Sequence, residues 1–299
     1  MSISFYVMNK KKFLGYEPVL NVETALSLLD KELNTYGTDG IDINDLLLSP
    51  LSKYPCLLVG TEDESARGFE LAYDSKNKVY AVRVFTPSSR EDWLLALEYI
   101  KALAKKFETE IVNERGETFT VDNIEKFDYE PDILYGIKVI TENIKSGESS
   151  NYIIFGTTRP VSFDEKMIDE INNSDSPIDT FSRIVRDIQN LDAYSANQQF
   201  YENREDGTIM GAYTITESVR TIIPYKPSVE FHNSDIVKNE DIAFWNIGLV
   251  TIDGDENDKN SYNVAAYVDY DDFIKNLPEN KYRFIDASYI MVEPLNKEE

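Results

Sequence analysis

From Phe69 to Phe107 the order of apolar and polar residues changes its period. Phe69, Leu71 and Tyr73 alternate with Glu70 and Ala72, a period of two that predicts a strand. Asp74 to Lys78 supply turn formers and charge. Val79 to Phe85 is apolar apart from Arg83, which predicts a strand in mid-sheet, covered on both faces. Trp93, Ala96, Leu97, Ile100, Leu103, Ala104 and Phe107 then recur at about 100° per residue, the period of an amphipathic helix. Ser88 and Glu91 have the spacing of a capping box, and Pro87 keeps the chain extended before them. Glu91 and Asp92 suit the positive end of the helix dipole; Lys101, Lys105 and Lys106 suit the negative end. Leu94 and Leu95 fall off the stripe and are expected to meet a second layer, the alternative being partial exposure.

Ahead of this unit, Ile3 to Met8 predicts a strand, and Glu17 to Leu20 is placed to pair back after a turn. Asn21 caps a predicted helix through about Leu33, broken by Gly37 and Gly40. A short helix is expected from Asn44, and a buried strand over Tyr54 to Val59. Beyond Phe107, Asn113 to Gly116 reads as a hairpin turn between Glu110–Val112 and Thr118–Val121. Pro131 opens a helix carrying Ile133, Ile137, Ile140 and Ile144, with Gly147 near its end. Tyr152 to Phe155 predicts a strand. Ser162 with Glu165 opens one helix, and Ser176-Pro177 another that runs as far as Tyr201. Strands are expected at Thr208–Ile215, Val219–Ile223, Ile242–Ile252, Tyr262–Val268 and Arg283–Val292, with a short helix after Asp269 and a frayed tail from Lys297. The small, polar segment Ser146 to Asn151 marks a boundary between domains spanning 1–147 and 148–299, or a surface loop within one domain. Strand, strand, helix, strand occurs near Phe69–Val112 and again near Ile242–Val292, an order that either duplication or chance produces.

Composition narrows the function classes. The chain has 299 residues, 54 acidic against 30 basic, for a net charge of −24. Polyanionic nucleic acids and anionic membrane surfaces are therefore poor partners. Lys10 to Lys12 is the one basic run. A solvated surface explains the acidity, and so does a face that meets a basic protein. With one cysteine, Cys56, and one histidine, His232, there is no internal disulfide and no Cys/His zinc cluster. No apolar run approaches the roughly 20 residues of a membrane span, and no secretory signal is visible, so a cytoplasmic location is expected.

Candidate chemistry is sparse. Asp253, Asp255 and Asn257 sit at the first, third and fifth positions of a calcium-loop spacing. The sixth position is Asp258 where glycine is needed, the twelfth is Val264 where glutamate is needed, and the flanks read as strands; a charged hairpin loop fits better. Cys56 and His232 are a nucleophile and a base by type, but Cys56 lies in an apolar run and is expected to be a small buried hydrophobe. Neither a nucleophile elbow nor a glycine-rich phosphate loop is present. Asp269, Asp271 and Asp272 read as helix capping. The 19 tyrosines and 15 phenylalanines mostly fill cores, and any that are exposed would suit an interface.

The opening Ser2 to Lys11, SISFYVMNKK, with the length and acidity, resembles an uncharacterised family of roughly 300-residue proteins of low-GC Gram-positive bacteria, a domain of unknown function. The resemblance implies a bacterial cytoplasmic protein and assigns no role to any residue. The reading is an α+β protein in two mixed lobes, each a largely antiparallel sheet with packed helices. It is expected to be a non-enzymatic binding protein with an acidic surface, without cofactor or metal. The alternative is a hydrolase working through carboxylates, with or without Mg²⁺. No catalytic or binding residue is singled out.

Overall fold

The structure, a computed structural model, describes residues 1–38, 40–147, 150–255 and 258–296. The chain gathers into two compact units, Met1–Asn190 and Leu191–Glu299. Both combine helices with mainly antiparallel strands, so the class is α+β.

The first unit runs β1 (Ser2–Met8), α1 (Val22–Leu26), β2 (Asn34–Tyr36), α2 (Ile43–Leu48), β3 (Leu57–Gly60), β4 (Phe69–Asp74), β5 (Val79–Phe85), α3 (Arg90–Phe107), β6 (Ile111–Asn113) and β7 (Thr118–Phe119). It then continues through α4 (Glu130–Lys145), β8 (Tyr152–Phe155), β9 (Pro160–Phe163), α5 (Glu165–Asn172) and α6 (Pro177–Gln189). Its main sheet has the order β2-β3-β4-β5-β1-β6-β7, antiparallel throughout. Register places Ile3 opposite Val84, Phe5 opposite Val82 and Val7 opposite Tyr80, all buried on the face that α3 covers. Each such side chain contributes about 1.5–3 kcal/mol on leaving water. Tyr80 stacks on Phe107 at 4.8 Å and accepts the Leu20 N–H at 2.9 Å; burial pushes its phenol up to about 12.

Several local expectations change. β5 is central, but only Tyr80, Val82 and Val84 are buried; Arg83 is exposed on the other face and pairs with Glu70. Helix α1 stops at Leu26 because the chain must turn back and pair Asn34–Tyr36 with Leu58–Gly60, a tertiary demand that overrides helix propensity. The helix cap of α3 is Ser89 with Asp92, one residue past the expected Ser88 and Glu91. Leu95 is buried while Leu94 stays exposed, so the second layer covers one of the two. Asp164, not Ser162, caps α5 by accepting from Met167 N–H, because Ser162 is held in β9. Helix α6 ends at Gln189, well before Tyr201. Gly136 of α4 lies so close to Pro87 that a Cβ would sit 2.5 Å from the proline nitrogen.

The second unit contains β10 (Tyr194–Ser195), β11 (Gln199–Glu202), β12 (Ile209–Thr216), β13 (Thr221–Pro224), β14 (Ile242–Ile252), β15 (Tyr262–Asp269), α7 (Tyr270–Asn276), β16 (Tyr282–Phe284) and β17 (Tyr289–Val292). Two four-stranded sheets form, β11-β12-β14-β15 and β10-β13-β17-β16. Pairing is antiparallel except for β12 with β14 and β10 with β13. Between the sheets lies a core of Tyr213, Ile215, Ile223, Ile247, Tyr270 and Ile290, among others. The single closing strand expected over Arg283–Val292 is a hairpin, because Asp286 accepts from Ser288 and Tyr289 N–H and turns the chain. The repeated element order is not a repeated topology: β6 joins the sheet of β4 and β5, whereas β16 joins a different sheet from β14 and β15.

The boundary expected at 147/148 falls at Glu148 and Ser149, and the tail at Lys297 to Glu299, both outside the described residues. Beyond that point, Thr157 N–H donates to Ala66 C=O at 3.0 Å, and Arg90 meets Asp179 at 3.0 Å, within the first unit. Brief proteolysis locates the division. Cleavage near Asn190 with two persistent fragments is expected from the compact units. Cleavage confined to Ser146–Asn151, leaving stable fragments 1–147 and 148–299, would place it at the earlier point.

Candidate binding surface

In the first unit the acid most removed from water is spent on structure. Asp92 is fully buried, and both its oxygens accept backbone donors: Oδ1 from Ala66 and Gly68 at 3.2 and 2.8 Å, Oδ2 from Arg67 and Ser89 at 2.9 and 3.3 Å. Ser89 Oγ donates to Oδ2 at 2.8 Å. Burial pushes this carboxyl up, and the donors oppose that shift. Arg67, also buried, donates to Phe155 C=O at 2.8 Å and Pro87 C=O at 2.5 Å, and burial lowers it to about 10. Asp132, likewise raised by burial, accepts from Thr86 Oγ1 at 2.8 Å. Asp92 ties the loop from Ala66 to Gly68 to the start of α3, and Asp132 on α4 holds Thr86.

The second unit presents a different surface. Alternation along β12 and β14 sends Tyr213, Ile215, Ile247 and Leu249 toward the core and Met210, Thr214, Phe244 and Gly248 to the opposite face. On the inner side Gly211 has no room for a Cβ, which would meet the Trp245 ring at 2.3 Å. On the outer side Tyr201, Phe244 and Tyr267 are exposed. Tyr201 comes from one edge strand and Tyr267 from the other. The Tyr201 phenol is raised first by partial burial and then by the Tyr267 phenol, so the two meet above the central strands. Tyr267 covers Gly248, where a Cβ would stand 3.3 Å from its ring.

Strand β15 closes this sheet at the edge. Seven of its eight residues are exposed, including Tyr262, Val264 and Tyr267, and Val268 alone is half-buried. Such an edge leaves one row of backbone N–H and C=O groups without a neighbouring strand. Acids stand at both ends: Asp253, Asp255 and Asp258 before β15, Asp269 at its last position, and Asp271 and Asp272 after it.

Residues weighed from the sequence are distributed as follows. Cys56 is exposed rather than buried, because the strand begins at Leu57 and alternation turns Leu57 and Val59 inward. Its thiol is pushed up by partial screening from water and by the Glu70 carboxylate. His232, in the second unit, lies 3.5 Å from Glu230 in a short 3₁₀ turn. In the basic run, Lys10 pairs with Glu108 at 2.7 Å and Lys12 with Glu17 at 3.7 Å. The loop from Asp253 is flanked by strands β14 and β15; Glu256 and Asn257 lie outside the described residues. Asp269 caps α7, accepting from Asp272 N–H at 3.0 Å. Sequence reasoning left open whether β15 is an edge, because Tyr262, Val264 and Tyr267 read the same in a covered strand. No described helix is long and apolar enough to cross a membrane.

No curated protein and no solved structure matches the chain. The model of the family described as Domain of unknown function (DUF4299) matches residues 2–299, and the chain belongs to that family.

Proposed function

We propose that the chain is a non-enzymatic cytoplasmic binding protein, and that it takes a basic protein partner on the β15 edge and the tyrosine face beside it. The observation that carries the reading is an eight-residue edge strand, exposed and partly apolar, set between two groups of acids. An unpaired edge adds an extended segment through main-chain hydrogen bonds, with side-chain contacts giving specificity. Exposed tyrosines supply contact area at low entropic cost. The surrounding acids favour lysine- and arginine-bearing segments and oppose acidic ones, including a second copy of this −24 chain. The alternative, a carboxylate-dependent hydrolase, loses its most buried candidate to the donors around Asp92.

A photo-crosslinking residue at Tyr267, introduced in the host, is expected to capture a protein of basic net charge. The same group at Leu94, exposed on α3, serves as the control. Val264→Lys should abolish capture by repelling a basic strand and blunting the edge, while changing stability by no more than about 0.5 kcal/mol. Capture at Leu94 but not at Tyr267, or capture indifferent to Val264→Lys, would move the contact surface elsewhere.

A further inference from the structure

The one basic run, Lys10 to Lys12, forms the outgoing arm of a small hairpin between β1 and α1. Lys11 and Tyr16 are bridge partners, Lys12 N–H donates to Gly15 C=O at 2.9 Å, and Glu17 N–H donates to Lys10 C=O at 2.9 Å. Gly15 completes the turn at φ +87°, a region that favours glycine. The tip is Phe13, 101% exposed, and Leu14, 86% exposed. Single exposed apolar residues are ordinary on a surface. Here a hydrogen-bonded turn holds two adjacent ones out in water. Behind the tip come Lys12 and Lys11 on one arm and Tyr16, also exposed, on the other. Lys105 and Lys106, in the last turn of α3, stand at the same end of the unit, because Lys10 meets Glu108 at 2.7 Å. These five lysines outnumber the acids beside them in the chain, Glu17, Glu108 and Glu110. Glu17 pairs with Lys12 at 3.7 Å, and no described acid pairs with Lys11, Lys105 or Lys106.

We propose that this hairpin docks the chain on an anionic lipid surface, with Phe13 and Leu14 entering the boundary between headgroups and acyl chains and Lys11, Lys12 and Tyr16 at headgroup level. The order in depth suits a membrane interface: apolar side chains at the apex, then tyrosine and lysine, whose polar ends reach the headgroups. A protein pocket is a poorer match. Lysine is depleted in protein interfaces, and a two-residue tip offers little of the area that they bury. The net charge of −24 makes anionic surfaces poor partners for the chain as an average. At physiological salt, charges farther than about 8 Å from the contact are largely screened, so the lysines at the tip govern it. Two apolar side chains and a few lysines give reversible attachment rather than permanent anchoring. The tip belongs to the first unit and the β15 edge to the second, and neither reading depends on the other.

The test is co-sedimentation of the full chain with two kinds of vesicle: phosphatidylcholine alone, and phosphatidylcholine with phosphatidylglycerol in equal parts. Binding to the mixed vesicles should be about tenfold or more tighter than to the neutral ones, and should weaken as salt rises. Replacing Phe13 and Leu14 together by serine should weaken it about tenfold or more and leave Tm unchanged, because neither side chain is packed. Lys11→Glu with Lys12→Glu should abolish it. In Phe13→Trp, brominated acyl chains should quench fluorescence beyond any quenching of Trp93 and Trp245 in the wild type. Equal affinity for the two vesicles, no binding to either, or binding that survives the loss of Phe13 and Leu14 would overturn the proposal. A crosslinking residue at Leu14 that captured a protein in the host, with no binding to vesicles, would overturn it and make the tip a protein contact. The vesicle comparison on the unaltered chain decides the matter even if a variant fails to fold.

Discussion

Replacing Asp92 by alanine should destabilise the first unit by about 3–5 kcal/mol, on the order of 10 °C in Tm for a unit of this size. The reason is the number of donors left behind. Ala66, Arg67, Gly68 and Ser89 all direct buried N–H groups at this carboxylate, and alanine answers none of them. Asp92→Asn is the sharper variant. Each carboxylate oxygen accepts from backbone N–H groups, so the asparagine NH₂ faces donors in either orientation. The amide should therefore recover little of the loss, and should remain at least about 2 kcal/mol below wild type. Urea unfolding of the three proteins measures this. An asparagine variant as stable as wild type would show that the carboxylate is not the acceptor that organises the loop from Ala66 to Gly68.

Trp93→Ala should cost about 3–5 kcal/mol by the same measurement. Trp93 is completely buried and stacks on Phe127 at 5.6 Å and Tyr129 at 5.8 Å, with Phe5 edge-on at 6.4 Å. No described residue accepts from its indole N–H, so the ring contributes by packing. Trp93→Phe should thus retain more than half of the difference. A loss within about 0.5 kcal/mol for alanine would mean that α3 turns another face to the sheet.

These neighbours show what a single sequence discloses. The packing face of α3 is legible because seven apolar residues recur at helical spacing, and only a helix gives them a common side. The same is true of β14, whose limits follow directly from Ile242 to Ile252. Asp92 is not legible. In sequence it is one of two acids at a helix start, and a dipole argument serves both equally. Its partners lie about 25 residues away, in a loop with no periodicity to mark it. The cap fell on Ser89 rather than Ser88 for the same reason: two overlapping pairs satisfy the spacing, and the loop from Ala66 chooses between them. Local pattern alone extends α1 to about Leu33, because it does not register the pairing of β2 with β3. The proposed contact surface is legible only as excess acid and abundant tyrosine. Which tyrosines are exposed depends on sheet order, and sheet order is set by contacts distant in sequence.

If the acids around β15 act on a partner, they act before contact. Clusters of one sign raise the local potential and speed encounter with an oppositely charged surface. At physiological salt the screening length is about 8 Å, so Asp253, Asp255, Asp258, Asp269, Asp271 and Asp272 matter because they flank the strand itself. Charge steering changes the on-rate far more than the off-rate. The most direct measurement is the association rate of the protein captured at Tyr267, followed by stopped flow from low to high salt. The account predicts a rate that falls steeply with salt while dissociation changes little, and a slower rate when Asp269, Asp271 and Asp272 are replaced by asparagine. A rate indifferent to salt, or a captured partner as acidic as this chain, would contradict it.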